Sequence, residues 1–394
     1  MNYILFDDNS RNSLLPLTFT RPVADIRIGV LTIREKWEKM LNAKTSSKTE
    51  NYLSKKFPTE YAIDTDNVWI NGSFCPNELL IAEIKALKHN EVLMESTIVI
   101  AANTGDIKHF DLSTFGSFEK RVTESKPMWI ENSWDIFSKN GEAIKSDFEL
   151  LTKGRTSATI SKTNQVIASE HIFLEEGAKV ECAILNASTG PIYIAKDAEI
   201  MEGSIVRGPF ALGEHSALKL GAKIYGPTTI GPHSKVGGEV NNSVIFGFSN
   251  KAHDGFLGNS VLGEWCNIGA DSNNSNLKNN YAEVKLWSYT KERFTPTGLT
   301  FCGLIMGDHS KCGINTMFNT GTVVGVSANI FGSGFPRNFV PSFSWGGAAG
   351  FTTYKLKDAF EVATRVFERR GMVFNEIEQQ LLSDVFEMTE KYRK

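Results

Sequence analysis

Several side chains in the second half of the chain are suited to proton transfer and phosphate binding. A histidine imidazole has an ordinary pKa of about 6.5, so the side chain of His253 can be uncharged at working pH and can act as a general base. The guanidinium of Arg207 suits a phosphate, which it can bind through two parallel N–H groups. Lys251 and Lys285 could bind phosphate as point charges, although a lone lysine is more often a solvated surface residue.

These candidates lie in a region with a six-residue repeat of aliphatic residues. Helices recur at about 3.6 residues and strands at about 2, so a step of six fits neither alone. The step fits a parallel β-helix, in which each flat side takes six residues and one of them points to the axis. A second run begins at Phe256, Leu262 and Ile268. The first run consists of Ile194, Ile200, Val206, Leu212, Leu218, Ile224, Ile230 and Val236.

Residues 1–155 lack this repeat and show an alternation of strand, loop and helix. Tyr3–Phe6 and Val68–Ile70 are predicted strands, and residues 28–41 and 77–89 are predicted helices. Such an alternation predicts a Rossmann-like α/β layer with ligand chemistry at the carboxyl ends of its strands.

The remainder of the chain is predicted to form two further domains. Residues 156–345 form the β-helix, interrupted by a long loop at 275–300, and residues 346–394 form a helical tail. Apolar residues on both sides of Gly371 predict two amphipathic helices there, which cap the end of the solenoid.

Composition excludes several classes of function. The net charge is −3, from 42 basic and 45 acidic residues in 394, so neither nucleic acid nor an anionic membrane surface is an expected partner. Five scattered cysteines without a CxxC pair predict reduced thiols in a cytoplasmic protein, without disulfides or structural zinc. No segment approaches about 18 consecutive apolar residues, so neither membrane insertion nor secretion is expected.

Longer motifs resemble a known family. Three segments resemble the acetyltransferase half of GlmU, the bifunctional glucosamine-1-phosphate acetyltransferase and N-acetylglucosamine-1-phosphate uridylyltransferase: Ser249–Gly258, Cys266–Ala270 and Ser275–Lys278. Over nearly its full length the chain resembles the alternative GlmU-like branch, through Leu15–Pro22 (LPLTFTRP), Gly237–Val240 (GGEV) and Phe343–Gly347 (FSWGG).

This resemblance implies a fold, an assembly and a pair of reactions. The fold would be a nucleotidyltransferase-like domain followed by a left-handed parallel β-helix, assembled as a homotrimer with the acetyl-CoA site between subunits. The reactions would be acetyl-CoA-dependent N-acetylation of glucosamine 1-phosphate and Mg²⁺-dependent uridylyl transfer from UTP, which together make UDP-N-acetylglucosamine.

The resemblance also assigns roles in the β-helix. His253 takes the position of the general base, Asn276 that of the asparagine that contacts the amino sugar and the acyl group, and Arg207 that of a phosphate-facing arginine. Lys251, Phe256 and Lys285 are further candidates for binding the sugar phosphate or acyl-CoA. Two positions depart from the family: Phe256 replaces a tyrosine, and Asn241 replaces a phosphate-binding lysine. Both departures bear on which acceptor is used.

The N-terminal half departs further from the family pattern. Arg11 and Arg21 stand in for the arginine and lysine of the nucleotide-binding loop, which here has no glycine, and Gly72 is followed by Ser73 where the family has a metal-binding aspartate. Asp7, Asp8 and Asp106 are the alternative metal ligands, and the sequence does not choose between them.

Two other functions therefore remain open. The chain could be a sugar-1-phosphate nucleotidyltransferase whose β-helix is purely structural. It could also be a regulatory or scaffold protein that binds nucleotide sugars at a catalytically degenerate site.

Overall fold

The computed structural model describes residues 1–105 and 112–393. One of its two compact units contains the predicted α/β layer, and the other contains the predicted β-helix and helical tail, so the fold class is confirmed. The division falls between Asn132 and Ser133, before the boundary near residue 155 that the sequence predicts, and that domain boundary stays a prediction. The first unit comprises residues 1–14, 20–26 and 31–132, and the second comprises 15–19, 27–30 and 133–394.

The first unit is built on a mixed six-stranded sheet. Its strands are β1 (Asn2–Phe6), β2 (Thr45–Lys48), β3 (Asn67–Asn71), β4 (Glu91–Glu95), β5 (Ile98–Asn103) and β6 (Glu119–Val122). The strand order is β2-β1-β3-β5-β4-β6, and β1 is parallel to both of its neighbours. The chain passes from β1 to β2 on one side and continues to β3 on the other, so the carboxyl end of β1 is a topological switch point.

Local capping sets the helices of this unit, which are α1 (Ser10–Ser13), α2 (Ile33–Leu41) and α3 (Glu78–Lys85). Helix α2 begins five residues later than predicted because Thr32 and Glu35 form a reciprocal capping box ahead of it. The polar run that follows α2 contains edge strand β2, whose Ser46 and Ser47 are buried.

The second unit contains a parallel β-helix with three faces. The first face continues at its upper end into the strand pair Asn273–Asn274 and Met317–Phe318, and the third face ends in an antiparallel strand, Gly350–Thr353. The first face is formed by Gln165–Ile167, Ile184–Asn186, Ile205–Arg207, Lys223–Tyr225, Glu239–Asn241 and Phe256–Gly258. The second face is formed by Ile172–Leu174, Ile192–Ile194, Phe210–Leu212, Thr228–Ile230, Val244–Gly247, Val261–Glu264, Leu304–Met306, Thr322–Val324 and Phe339–Val340. The third face is formed by Lys179–Val180, Glu199–Ile200, Ala217–Leu218, Lys235–Val236, Asn250–Lys251, Asn267–Ile268, Lys311–Cys312, Asn329–Ile330 and Ser344–Gly347.

The six-residue repeat forms the core of this β-helix. All eight members of the first run are buried and belong to one apolar cluster along the axis. In the second run, Leu262 and Ile268 are also in the cluster, but Phe256 is half-buried on the outer surface and Leu257 takes the inward position. The prediction that Phe256 lies in the core is therefore wrong by one residue.

Helices flank the β-helix in the same unit. They are α4 (Asp135–Ser138), α5 (Asn140–Thr152), α6 (Leu356–Glu368) and α7 (Glu376–Met388). The last two confirm the helices predicted around Gly371, and Phe367 of α6 stacks on Trp265 with 4.1 Å between ring centroids. The predicted long loop at 275–300 contains an antiparallel hairpin, Lys285–Ser288 with Arg293–Pro296. In the part of the chain that the structure describes, every helix is too short or too polar to cross a membrane.

Candidate functional site

Outward-facing side chains on the first face of the β-helix form two columns. Parallel strands in register place equivalent residues above one another, about 4.8 Å apart. The uppermost members of the two columns are Phe256 and Gly258, which are two residues apart on one strand and therefore lie beside each other. One column contains Lys223, Glu239 and Phe256, and the other contains Tyr225, Asn241 and Gly258.

At the top of these columns, an aromatic ring and an amide meet above Gly258. A Cβ atom at Gly258 would lie 2.4 Å from Cζ of Phe256 and 2.7 Å from Nδ2 of Asn276, so only glycine leaves room for both groups. Asn276 Nδ2 donates a hydrogen bond to Oδ1 of Asn259 at 2.7 Å. The structure thus brings together Phe256 and Asn276, two of the residues that the sequence predicts for one site.

His253 lies in the corner that leads into this strand, three residues before Phe256. The corner, residues 252–255, connects the third face to the first. The imidazole is exposed, and no hydrogen bond to it is found within residues 1–105 and 112–393. Gly255 has φ +114°, and a Cβ there would lie 2.2 Å from the carbonyl oxygen of Ser272, so the end of the corner requires glycine.

Lys251 does not face solvent as the sequence predicts. Its side chain is 2 % exposed and takes an inward position, paired in register with Val236. The ammonium donates a hydrogen bond to the backbone carbonyl oxygen of His253. A direct contact between Lys251 and a phosphate does not fit this placement, and the prediction is corrected because strand alternation turns Asn250, not Lys251, outward.

The other predicted cations lie apart from the Phe256–Asn276 pair. Arg207 is exposed on the first face and lies one strand below Tyr225, about three strand spacings from Gly258. Lys285 is exposed at the start of the hairpin, where its backbone oxygen packs against Gly321. The structure places Arg207 on the same face as the pair, and it places Lys285 outside that face.

Sequence reasoning missed a charged cluster between Arg207 and Phe256. Tyr225 donates a hydrogen bond to Glu239 at 2.6 Å, and that bond together with burial raises the pKa of Tyr225 to about 12. Lys223 Nζ lies 3.9 Å from the Glu239 carboxylate, and its side chain is 56 % exposed. Asn241 stands at the position where the family has a phosphate-binding lysine. Lys223, on the neighbouring strand, places a cation close to that position. Strand register reveals this proximity, and a linear motif does not.

Two cavities lie at the carboxyl end of β1 in the first unit. One, of about 440 Å³, is at the switch point between β1 and β3 and is lined by Phe6, Asp8, Asn9, Ser10, Ser13, Asn71, Thr97, Ile98, Val99, Trp129 and Glu131. The other, of about 470 Å³, is on the β2 side and is lined by Phe6, Asp7, Asp8, Asn9, Arg11, Asn12, Lys48, Thr49, Glu50 and Asn51. Their position agrees with the ligand chemistry predicted for the strand ends.

The two aspartates at this end are engaged by protein donors. Asp7 accepts hydrogen bonds from the Val23 backbone N–H at 2.8 Å and from the Thr49 hydroxyl at 2.5 Å. Burial raises its pKa to about 6, although both hydrogen bonds favour the charged form. Asp8 accepts from Ser10 through one oxygen and from Asn71 Nδ2, at 2.8 Å, through the other.

These contacts leave Asp7 and Asp8 as predicted Mg²⁺ ligands that the structure does not test. Each of their carboxylate oxygens accepts a hydrogen bond, and a further lone pair on each oxygen could still bind a cation. Within residues 1–105 and 112–393, no group of three or more histidine, cysteine, aspartate or glutamate side chains is placed to hold a metal ion. Asp106, the third candidate, lies outside the described residues.

The remaining N-terminal candidates are largely buried. Arg11 is 7 % exposed and donates to the Tyr52 hydroxyl at 2.6 Å, with Nε 3.9 Å from Asp7. Arg21 is 6 % exposed and is absent from the described lining of both cavities. The backbone N–H of Gly72 donates to the carbonyl oxygen of Phe6 at 2.8 Å, and the nucleotide-binding role of Gly72 stays a prediction.

Comparison with known proteins identifies the first part of the chain. Residues 3–156 match the sugar nucleotidyl transferase family. A bifunctional sugar-1-phosphate nucleotidylyltransferase/acetyltransferase from Sulfurisphaera tokodaii is 33 % identical over 144 residues, which are 36 % of this chain and 35 % of that protein. The bifunctional protein GlmU from Methanocaldococcus jannaschii is 34 % identical over 87 residues, or 22 % of this chain and 21 % of that protein. These matches support a sugar nucleotidyl transferase domain at residues 3–156 that is similar to part of the GlmU-like proteins. The match spans about a third of the first relative and about a fifth of the second.

Solved structures resemble this chain only loosely. The UDP-N-acetylglucosamine acyltransferase of Arabidopsis aligns with 60 % of this chain and 94 % of its own, at 16 % identity and a TM-score of 0.24. AntD, an N-acyltransferase from Bacillus cereus solved with dTDP and coenzyme A, aligns with 53 % of this chain and 87 % of its own, at 12 % identity and a TM-score of 0.21. TM-scores this low assign neither a site nor an activity.

Proposed function

We propose that the β-helix transfers an acetyl group from acetyl-CoA to the amino group of an amino-sugar phosphate, glucosamine 1-phosphate being the leading acceptor. The observation that carries this proposal is the exposed imidazole of His253, which makes no hydrogen bond within the described residues, in the corner before the Phe256–Asn276 pair. The bifunctional relatives, which match part of the chain, support the same class of reaction.

His253 would act as the general base. As the amine nitrogen attacks the thioester carbonyl, the C–N bond forms and the imidazole takes the N–H proton. The tetrahedral intermediate then breaks its C–S bond, and the leaving coenzyme A thiolate takes this proton from the imidazolium, which restores the neutral base. Asn276 uses one N–H on Asn259, so its second N–H is available to the acyl oxygen or to the sugar.

The first face would hold the sugar phosphate. Lys223 is an exposed cation two strands below Phe256 on that face, and its long side chain suits a phosphate, whereas Arg207 lies one strand further from the pair. Phe256 keeps an aromatic surface at the acceptor position but has no hydroxyl group. Acceptors that do not require a hydrogen bond at that point should therefore be used best.

A second activity is proposed for the first unit, namely uridylyl transfer from UTP to N-acetylglucosamine 1-phosphate, giving UDP-N-acetylglucosamine. Its support is the family match of residues 3–156 together with the cavity at the switch point. Because Ser73 stands where the family has a metal-binding aspartate, a regulatory unit that only binds the nucleotide sugar is the competing function.

We also propose a cytoplasmic homotrimer. The first face exposes Ile167, Ile205 and Tyr225 by 50 %, 46 % and 38 %, and closed cyclic packing of three copies would cover such a surface. The five cysteines are all free thiols, in keeping with a reducing compartment.

The test is an assay of purified protein with acetyl-CoA and a panel of amino-sugar phosphates, in which free thiol is measured. Pyrophosphate release with UTP and Mg²⁺ is measured separately. His253→Ala should lower thiol release by about 10²–10⁴-fold, the usual contribution of a positioned base, and should leave pyrophosphate release unchanged.

The matched control is His171→Ala, which removes another exposed histidine, in the turn Ser169–His171. Full thiol release by His253→Ala with the best acceptor would remove the histidine from the mechanism. If the wild type acetylates no member of the panel, the β-helix is structural.

A further inference from the structure

Lys251 occupies a position at which the β-helix otherwise has mostly aliphatic residues. Its side chain is among the largest that are fully buried, at 2 % exposure. An aliphatic side chain would fill the same space without the cost of removing an ammonium group from water. Burial lowers the pKa of Lys251 to about 8, which reflects this cost. The inward column of the third face consists of Val180, Ile200, Leu218, Val236, Lys251, Ile268, Cys312 and Ile330.

The buried ammonium group has one specific partner, the carbonyl oxygen of His253. Within the described residues no backbone N–H donates to that oxygen, although it is close to buried Gly238, where a Cβ would approach it to 2.8 Å. A buried carbonyl without a donor costs about 1–3 kcal/mol, so the lysine satisfies a group that the backbone leaves open.

The open carbonyl lies in a corner of four residues, 252–255, that connects the third face to the first. Corners of four residues, 201–204 and 219–222, also make this connection in lower coils, whereas only Gly237 and Gly238 make it in the coil directly below. The corner carries the exposed imidazole outward, and the side chain of Lys251 holds its backbone from the inside.

We propose that Lys251 is a positioning residue for His253. By holding the His253 carbonyl, Lys251 fixes the backbone from which the imidazole projects toward the acceptor. This inference rests on the proposed function of His253 as the base. Lys251 is separated from substrate by the wall of the coil, so its effect reaches the reaction through His253 alone.

Lys251→Met tests this proposal because methionine has a similar length and apolar stem but donates no hydrogen bond. The kcat for acetyl transfer should fall about 10–100-fold, the cost expected when a catalytic group shifts by about 1 Å, with the KM values for acetyl-CoA and the sugar phosphate changed less than about 2-fold. Ile268→Met is the matched control, since it places methionine one coil higher in the same column, and it should keep the wild-type kcat.

A double-mutant cycle distinguishes positioning from general stability. In a His253→Ala background, Lys251→Met should cost no further activity, because the residue that it positions is already gone. A kcat loss of equal size in both backgrounds would overturn the proposal, and so would an unchanged kcat with a raised KM for the sugar phosphate.

Other outcomes are also decisive. If the wild type and the His253→Ala variant differ as proposed but Lys251→Met is fully active, the positioning role fails while the proposed function stands. If the wild type shows no acetyl transfer, the proposed function fails first. Lys251→Leu is a second variant, and loss of folding in both, measured by circular dichroism, would assign the lysine to stability and overturn the proposal.

Discussion

Lys251→Met should change how the stability of the protein depends on pH. Burial lowers the pKa of the folded-state ammonium from 10.5 to about 8, and the nearby charges of Asp254 and Asp271 only partly oppose this shift. Between these two pH values, the lysine of the unfolded chain binds a proton that the folded lysine has lost. The native protein therefore becomes relatively more stable as the pH rises through this window.

The size of the effect follows from the two pKa values. At about 1.4 kcal/mol per unit, the difference corresponds to a destabilisation of about 3 kcal/mol near neutral pH. About 2 kcal/mol of this is recovered by about pH 9.5, where the native lysine is mostly neutral and the unfolded lysine is still mostly protonated. Methionine does not titrate, so the variant recovers none of it.

The assay is urea unfolding at pH values from about 7 to about 9.5, followed by circular dichroism. The measured quantity is the free energy of unfolding of the variant minus that of the wild type, which should fall by about 2 kcal/mol across this range. Burial also lowers the pKa of Lys311 to about 8, but that contribution is present in both proteins and cancels.

Lys235→Met is the matched control, because Lys235 is an exposed lysine one strand below on the same face. Its difference from the wild type should stay constant with pH. A constant difference for Lys251→Met as well would refute the reasoning, since it would mean that the ammonium of Lys251 is solvated in the folded protein.

Three other substitutions test separate parts of the structure. Lys223→Ala should raise the KM for the sugar phosphate about 5-fold in initial-rate kinetics with kcat nearly unchanged, since an exposed charge contact contributes up to about 1 kcal/mol, and Lys235→Ala should change neither constant. Burial raises the folded-state pKa of Asp7 to about 6, so the wild type loses stability as the pH rises from about 4 to about 7. Asp7→Asn should gain about 2 kcal/mol relative to the wild type over that range, and a constant difference in urea unfolding would contradict this. Ile205→Glu should convert a sedimenting trimer to monomers, whereas Ile377→Glu, at an exposed position on α7, should not; a monomeric wild type would rule out the assembly.

The sequence predicts the β-helix well because its periodicity has one physical cause. Each flat side must bury one side chain, so the spacing of the aliphatic residues from Ile194 to Val236 is enough to assign them to the core. Phe256 fails because the inward position shifts by five residues instead of six between Leu257 and Leu262, and hydrophobicity alone does not distinguish Phe256 from its inward neighbour Leu257. Strand β2 was missed because its serines are polar even though they pair with β1.

The candidate site was predictable only in part. His253, Phe256 and Asn276 could be found because each occupies a recognisable position in a family motif. The burial of Lys251 could not be found, because a lysine is read as a surface residue until strand alternation shows which way it points. Lys223 could not be found either, because its proximity to Glu239 depends on strands sixteen residues apart lying in register.

Lys251, the charged residue in the inward column of the third face, also affects how the coils stack during folding. When the inward residues of successive coils are all aliphatic, a strand can pair with the wrong neighbouring strand at little cost in free energy, because one aliphatic side chain packs much like another. Such a misstacked coil would separate the ammonium of Lys251 from the His253 carbonyl and leave both buried without a partner, at a cost of several kcal/mol. The lysine thus favours the correct order of coils over shifted ones, just as a buried polar residue fixes the register of the helices in a coiled coil.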